Sequence, residues 1–262
     1  MTEASTACKR LQGKVVIITG GASGIGEGTA RLFADHGTRV VVIADIQDEL
    51  GQSVASSIGL HRCRYIHCDV TDEEQVKSLV DQTVQDYGQL DVMFSNAGIL
   101  SSSDQTVLEL SLSSLDRLFA VNVRGMAICV KHAARAMVDG GVKGCIVCTA
   151  SVTASIGTIK HTDYVMSKHA VLGLVRSASR QLGEHGIRVN CVSPSALATP
   201  LIVEAFQMDG EGIEKAFEPF TTLKGVGFKV NNVADAVLFL ASDESAFVTG
   251  HNLVVDGGFR PY

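Results

Sequence analysis

No apolar run in this chain approaches the ~20 residues that a membrane-spanning helix needs, so a membrane-embedded protein is not expected. The opening MTEASTACKR has neither the apolar stretch of a secretory signal nor the arginine-rich amphipathic character of an organellar one, and the expected compartment is the cytosol. Basic residues are scarce too: 22 Lys and Arg stand against 28 Asp and Glu, a formal net charge of −6, and they form no stripe and no aromatic-interleaved patch. Binding to a phosphate backbone would require one, so nucleic acid is not an expected partner. Internal repeats and low-complexity segments are also missing. The seven cysteines are an odd number in a chain without a secretory signal, which points to reduced thiols rather than a disulfide framework. Cys145 and Cys148 form a C-x-x-C, but they fall on an expected strand, where residues three apart face opposite ways. No second pair and no histidine spacing completes a metal site.

What the chain does have is core: 46% of its 262 residues are hydrophobic, enough for one sizeable α/β domain. Short apolar runs alternate with longer amphipathic stretches, the pattern of βαβ units around a parallel sheet. Strands are expected at 15–19, 40–44, 64–67, 92–95, 145–149, 188–192 and 252–255. Helices are expected at 24–36, 47–57, 73–87, 112–138, 163–184 and 233–241, with Thr71, Ser111 and Asn231 among the polar caps. Only 197–230 breaks the rhythm, being glycine-punctuated and apolar without a strand to host it. It is expected to be an insertion, not a second domain.

The first strand runs into VVIITGGASGIGEG, where Gly20, Ser23, Gly24, Ile25 and Gly26 bring nearly bare backbone to a helix N-terminus. Unpaired N–H groups and the positive end of the helix dipole suit a pyrophosphate there, although a purely structural glycine turn remains the alternative. The spacing is neither the G-x-G-x-x-G of many dinucleotide folds nor a triphosphate P-loop. Asp45 ends the second strand, where a carboxylate accepts from ribose hydroxyls and repels a 2′-phosphate. No cation stands at Gly21, Ala22, Ile46 or Gln47 to offset it, so the expected cofactor is NAD rather than NADP. The bland alternative is that Asp45 caps the next helix.

Tyr164 and Lys168 stand four apart on one face of an expected helix, Ser151 closes the strand before it, and Asn122 lies in the preceding helix. Taken in order, Thr19-Gly-x-x-x-Gly-x-Gly26, Asn96-Ala-Gly98, Asn122, Ser151 and Tyr164-x-x-x-Lys168 resemble the short-chain dehydrogenase/reductase family over about 11–259. The resemblance implies an α/β fold, a Rossmann-type doubly wound parallel sheet of seven strands in a single domain with an apolar substrate lid. It implies Tyr164 as the base, its phenol lowered by the Lys168 ammonium and by the oxidised cofactor, Ser151 holding the substrate oxygen, and Asn122 anchoring a water behind Lys168. Carried across residue by residue, it puts Gly20, Ser23, Gly24, Ile25 and Gly26 at the phosphates and Asp45 with Ile46 at the adenosine ribose. Asp69 and Val70 flank the adenine, although Asp69 reads equally well as a strand-end or capping acid. Asn96, Ala97 and Gly98 pass behind the other ribose, and Thr199 reaches the carboxamide side. The family's usual Pro-Gly after the sixth strand is Pro194-Ser195 here, so Ser195 is a candidate substrate contact alongside Leu197.

SPSALATPL resembles a plant branch of the family that acts on secondary alcohols of specialised metabolism, including terpenoid and lignan dehydrogenases. Leu197, Leu201, Ile202, Val203, Phe206 and the apolar residues that follow them to Leu223 are joined by one cation, Lys215. A carboxylate or phosphate substrate would call for more, so a small apolar alcohol under a lid is expected, a monoterpenol such as borneol foremost. A lignan diol, another terpenoid alcohol, or an inactive NAD-binding regulator are the alternatives. The resemblance also implies a homotetramer.

Overall fold

Continuous runs of β-branched residues such as Val40-Val41-Val42-Ile43 are too apolar for a strand with a wet face, and they form the middle of the molecule. The computed structural model describes residues 9–259. In chain order the elements are β1 (Val15–Thr19), α1 (Gly24–Asp35), β2 (Val40–Asp45), α2 (Asp48–Ile58), β3 (Cys63–His67), α3 (Glu73–Tyr87) and β4 (Val92–Ser95). Then come α4 (Leu112–Phe119), α5 (Met126–Asp139), β5 (Cys145–Thr149), α6 (Thr162–Leu182) and β6 (Arg188–Pro194). α7 (Pro200–Phe206), α8 (Gly210–Phe217), α9 (Val230–Ala241) and β7 (Asn252–Val255) complete the fold. The strands form one seven-stranded sheet in the order β3-β2-β1-β4-β5-β6-β7, every pair parallel. This is the expected doubly wound sheet.

Two apolar layers sandwich it: Phe33, Val54 and Val237 belong to one face, and Leu79, Met126 and Val171 to the other. Cys145 and Cys148 fall in different layers, as strand alternation requires, and Cys145 Sγ lies 3.1 Å from the Leu240 carbonyl. Cys8 lies outside the described residues. No helix among the described residues is long and apolar enough to cross a membrane. The strand order reverses between β1 and β4, and a doubly wound sheet opens its crevice there, beyond the carboxyl ends of the strands.

Several boundaries differ from the sequence reading. The single helix expected over 112–138 is broken by a π-helical turn, Ala120–Gly125, a feature that often marks functional sites. Asp72, not Thr71, caps α3, its carboxylate accepting from the Glu74 and Gln75 N–H groups. Ser111 caps α4 as expected, accepting from Ser114 N. α9 begins at Val230 with Asn231 inside it, and Asn232 Oδ1 accepts from Lys229 N at 2.8 Å. The 197–230 stretch contains α7 and α8, helices of 7 and 8 residues, too short for apolar periodicity to declare them.

Candidate active site

Beyond the carboxyl ends of β1, β4 and β5 lies a cavity of about 780 Å³, large enough for a cofactor-sized ligand and a small partner. At one end stands the glycine turn. Gly20 (φ +65°) and Gly24 (φ +55°) take backbone angles that other residues resist. A Cβ on Gly20 would come within 2.9 Å of Ala97 Cα, and one on Gly26 within 2.0 Å of the Gly20 carbonyl oxygen. Gly20, Ser23, Gly24 and Ile25 line the cavity, whereas Gly26 sits behind them and lets the turn close. Ser23 at the N-cap makes no side-chain cap bond, so the first-turn N–H groups of α1 are left for a ligand. An anion cradle is the chemistry this turn fits.

Asp45 is buried, but it does not cap α2, whose N-cap is Gln47. Its Oδ2 accepts from Ala22 N at 3.1 Å and its Oδ1 from Gln47 N at 3.1 Å, so one carboxylate stitches the glycine turn to the end of β2. Ile46 stands exposed at the rim beside it. Asp69 Oδ1 accepts from the Thr71 N–H at 2.9 Å and from its hydroxyl at 2.8 Å, which makes this acid a turn former as well as a lining residue. Val70 lines the same end and packs against Gly125. Asn96 is largely spent on the scaffold: Nδ2 donates to the carbonyls of Thr19 and Gly20 at 3.1 and 3.2 Å, and Oδ1 accepts from Thr149 Oγ1 at 2.9 Å. Ala97 and Gly98 continue the wall, and Thr199 packs on Gly24.

At the other end Ser151, Tyr164 and Lys168 face the cavity together. Ser151 sits at the N-cap of a 3₁₀ turn after β5, its Oγ accepting from Thr153 N at 3.2 Å. Tyr164 lies in the first turn of α6, and Lys168 one turn on donates from Nζ to the Thr149 carbonyl at 2.9 Å. Nζ is 5.3 Å from the centre of the Tyr164 ring. Burial pushes the Tyr164 phenol up to about 12, with a hydrogen bond to Ser151 pulling it down. Burial also lowers Lys168 to about 8, although nearby Cys148 and Cys191 pull the other way. Burial is thus the larger influence on the Tyr164 phenol and the Ser151 hydrogen bond the smaller. Asn122 is fully buried behind the wall, its Oδ1 accepting from Ile99 N at 2.8 Å and its Nδ2 donating to Ile99 O at 2.9 Å. Both ends of its side chain therefore hold the loop that follows β4.

Between the two ends the wall is apolar. Leu197, Leu201, Ile202, Phe206, Phe217 and Phe220 line it, while Ile213 packs only against protein and Met208 and Leu223 point outward. Ser195 lines it without strain, since Gln207 is the only non-glycine with positive φ among the described residues. Phe259 also lines the cavity, and no sequence signal pointed to it. Its ring lies 6.2 Å from those of both Phe217 and Phe220, after the turn at Gly257 (φ +61°) and Gly258 (φ +77°). Nor did the sequence announce His161, which lines the cavity with its ring 6.0 Å from Phe206 and its pKa lowered by burial. Among the described residues Lys160 and Lys168 are the only Lys or Arg in the lining, both at the α6 end and away from Asp45.

This geometry has counterparts. A family model described as Enoyl-(Acyl carrier protein) reductase matches residues 20–260. A (+)-cis,trans-nepetalactol synthase of Nepeta racemosa is 61% identical, over 95% of this chain and 94% of that protein. A (-)-isopiperitenol/(-)-carveol dehydrogenase of Mentha piperita, named as mitochondrial, is 60% identical over 96% of this chain and 95% of that protein. A short-chain type dehydrogenase/reductase from Mycobacterium marinum superposes with a TM-score of 0.88 at 35% identity, covering 97% of this chain and 98% of that one. With the glycine turn, the parallel sheet and the Ser151, Tyr164 and Lys168 group in the places the sequence pattern required, the chain belongs to the short-chain dehydrogenase/reductase family of nicotinamide-dependent oxidoreductases.

Proposed function

We propose that this protein oxidises an apolar secondary alcohol to the ketone with NAD, and that the alcohol is a cyclic monoterpenol such as borneol. The observation that carries the reading is the meeting of Ser151, Tyr164 and Lys168 with a wall of phenylalanine and leucine side chains in one cavity. The Mentha piperita relative, named for isopiperitenol and carveol, supports the substrate class. The glycine turn fits a pyrophosphate, and Asp45, buried with no Lys or Arg beside it among the described residues, supports ribose hydroxyls over a 2′-phosphate. The nicotinamide cofactor supplies the acceptor for the carbon-bound hydrogen and its electron pair. The chain's own residues handle the alcohol oxygen and its proton.

Ser151 Oγ holds that oxygen, and Tyr164 Oη takes the hydroxyl proton. A phenol pushed up to about 12 keeps its own proton at neutral pH, so positive charge beside it has to offset burial before it acts as a base. Lys168 is the chain's source of that charge, held in register by Thr149 O. The apolar wall excludes water from the reacting carbon. The homotetramer and the cytosol belong to the same proposal, with the word mitochondrial in the Mentha piperita name standing against the second.

Purified protein given NAD and a panel of cyclic monoterpenols should produce NADH absorbance. Tyr164→Phe should cut turnover by about 10²-fold or more while leaving NAD affinity within about twofold. Silence across the panel would sink the substrate, and an undiminished Phe variant would sink the base. The synthase name of the Nepeta racemosa relative favours a second reading, rearrangement without net redox change. It predicts product without NADH.

A further inference from the structure

We propose that Asp163, acting with Ser101, is a positioning residue that fastens the backbone of Tyr164 to the cavity wall. The inference rests on the assignment of Tyr164 as proton acceptor made above. Asp163 is fully buried, and among the described residues it belongs to no ion pair. A buried carboxylate is costly unless hydrogen bonds satisfy it. Here both oxygens are engaged: Oδ1 accepts from Tyr164 N at 2.8 Å, and Oδ2 accepts from Ser101 Oγ. The first turn of α6 adds the positive end of its dipole.

Ser101 lies in the loop after β4, whose Ile99 and Leu100 line the cavity. That loop is lashed to the segment before α6 again a few residues on. Gln105 N donates to Lys160 O at 2.6 Å, Thr162 N donates to Gln105 O at 3.0 Å, and Asp104 meets Lys160 Nζ at 2.9 Å. At its start Ile99 is gripped by Asn122, whose Nδ2 also reaches Ser167 Oγ at 3.3 Å, and that hydroxyl donates to Tyr164 O at 2.8 Å. The loop thus reaches both polar groups of the Tyr164 backbone, the N–H through Ser101 and Asp163 and the carbonyl through Asn122 and Ser167. The substrate wall and the base share one register, and a misplacement of about 1 Å at a reacting group can cost ~10²-fold in rate.

The test compares the full chain with Ser101→Ala, Asp163→Ala, the double variant and Asp163→Asn. Each alanine change should lower kcat by about 10- to 100-fold with the Kd for NAD within about twofold, and should speed amide exchange across 99–105. The double variant should be no worse than the poorer single one, because both changes break the same contact. Asparagine, whose carbonyl accepts from Tyr164 N and whose amide reaches Ser101 Oγ, should restore kcat to within about threefold and normal exchange. Unchanged kcat in Asp163→Ala, multiplicative losses in the double variant, or an asparagine variant as poor as the alanine one would each overturn the proposal. If Asp163→Ala does not fold, Ser101→Ala, which removes one hydroxyl, carries the comparison. Absence of alcohol oxidation by the wild type refutes the reaction instead, and the exchange rates still decide whether Asp163 fastens the loop.

Discussion

Replacing Lys168 by methionine should make the protein more stable at neutral pH while destroying its activity. The ammonium is almost completely buried, and burial lowers its pKa from the ordinary 10.5 to about 8. That depression corresponds to roughly 3 kcal/mol against the charged form at pH 7. The bond to Thr149 O, lost in the variant, returns about 1 kcal/mol. A net gain of ~2 kcal/mol remains, a rise of about 4–8 °C in Tm for a chain of this size. The pH dependence has a defined sign. Between pH 8 and 10.5 the unfolded lysine holds a proton that the folded one has lost, so wild-type stability climbs with pH through that window. Tyr164 works in the opposite direction: between its ordinary 10.0 and its folded value of about 12 the folded state holds the extra proton, and stability falls. The advantage of Lys168→Met should therefore be full below pH 8 and nearly gone by about pH 10. Thermal melts of both proteins at pH 7 and pH 10, at matched protein concentration, measure it. A variant that melts lower at pH 7, or that gains equally at both pH values, would show that the ammonium is compensated in the fold and that burial does not govern it.

Two further substitutions probe the other walls. Asp45→Ala should weaken NAD binding and narrow the preference for NAD over NADP by ~10²-fold, because it removes both the ribose acceptor and the charge that opposes a 2′-phosphate; fluorescence titration of the two cofactors reads it, and an unchanged ratio refutes the assignment. Phe259→Ala opens the aromatic wall beside Phe217 and Phe220 and should raise KM for a cyclic alcohol by about tenfold with NAD affinity unaltered, in steady-state kinetics.

Much of this fold was legible because its signals are local. All seven expected strands are present, in one sheet, with ends displaced by at most two residues. Tyr164 and Lys168 could be paired from their spacing, since residues four apart on a helix share a face. What escaped was either too short or too distant. α7 and α8 span two turns each, and the π-helical turn at Ala120–Gly125 leaves no mark in apolar periodicity. Asn96 and Asp45 looked like ligand groups, and the structure adds that both hold the scaffold. That second duty depends on backbone atoms of Thr19, Gly20 and Ala22, which no side-chain pattern reveals.

By itself the sequence determined the alternation of strand and helix, the bare glycine turn, a serine at a strand end, and a tyrosine and a lysine sharing a face of the next helix. Each follows from periodicity or spacing within a few residues, or from one residue's chemistry. Only the tertiary structure decided what stands beside them. Ser101 meets Asp163 across 62 positions because β4 and β5 are neighbours, so the chain beyond their carboxyl ends converges on one crevice. Phe259 reaches the lid because Gly257 and Gly258 turn the chain back after the last strand. Long-range partners of this kind are set by strand order, and strand order is an outcome of burying both faces of the sheet at once rather than a property of any segment.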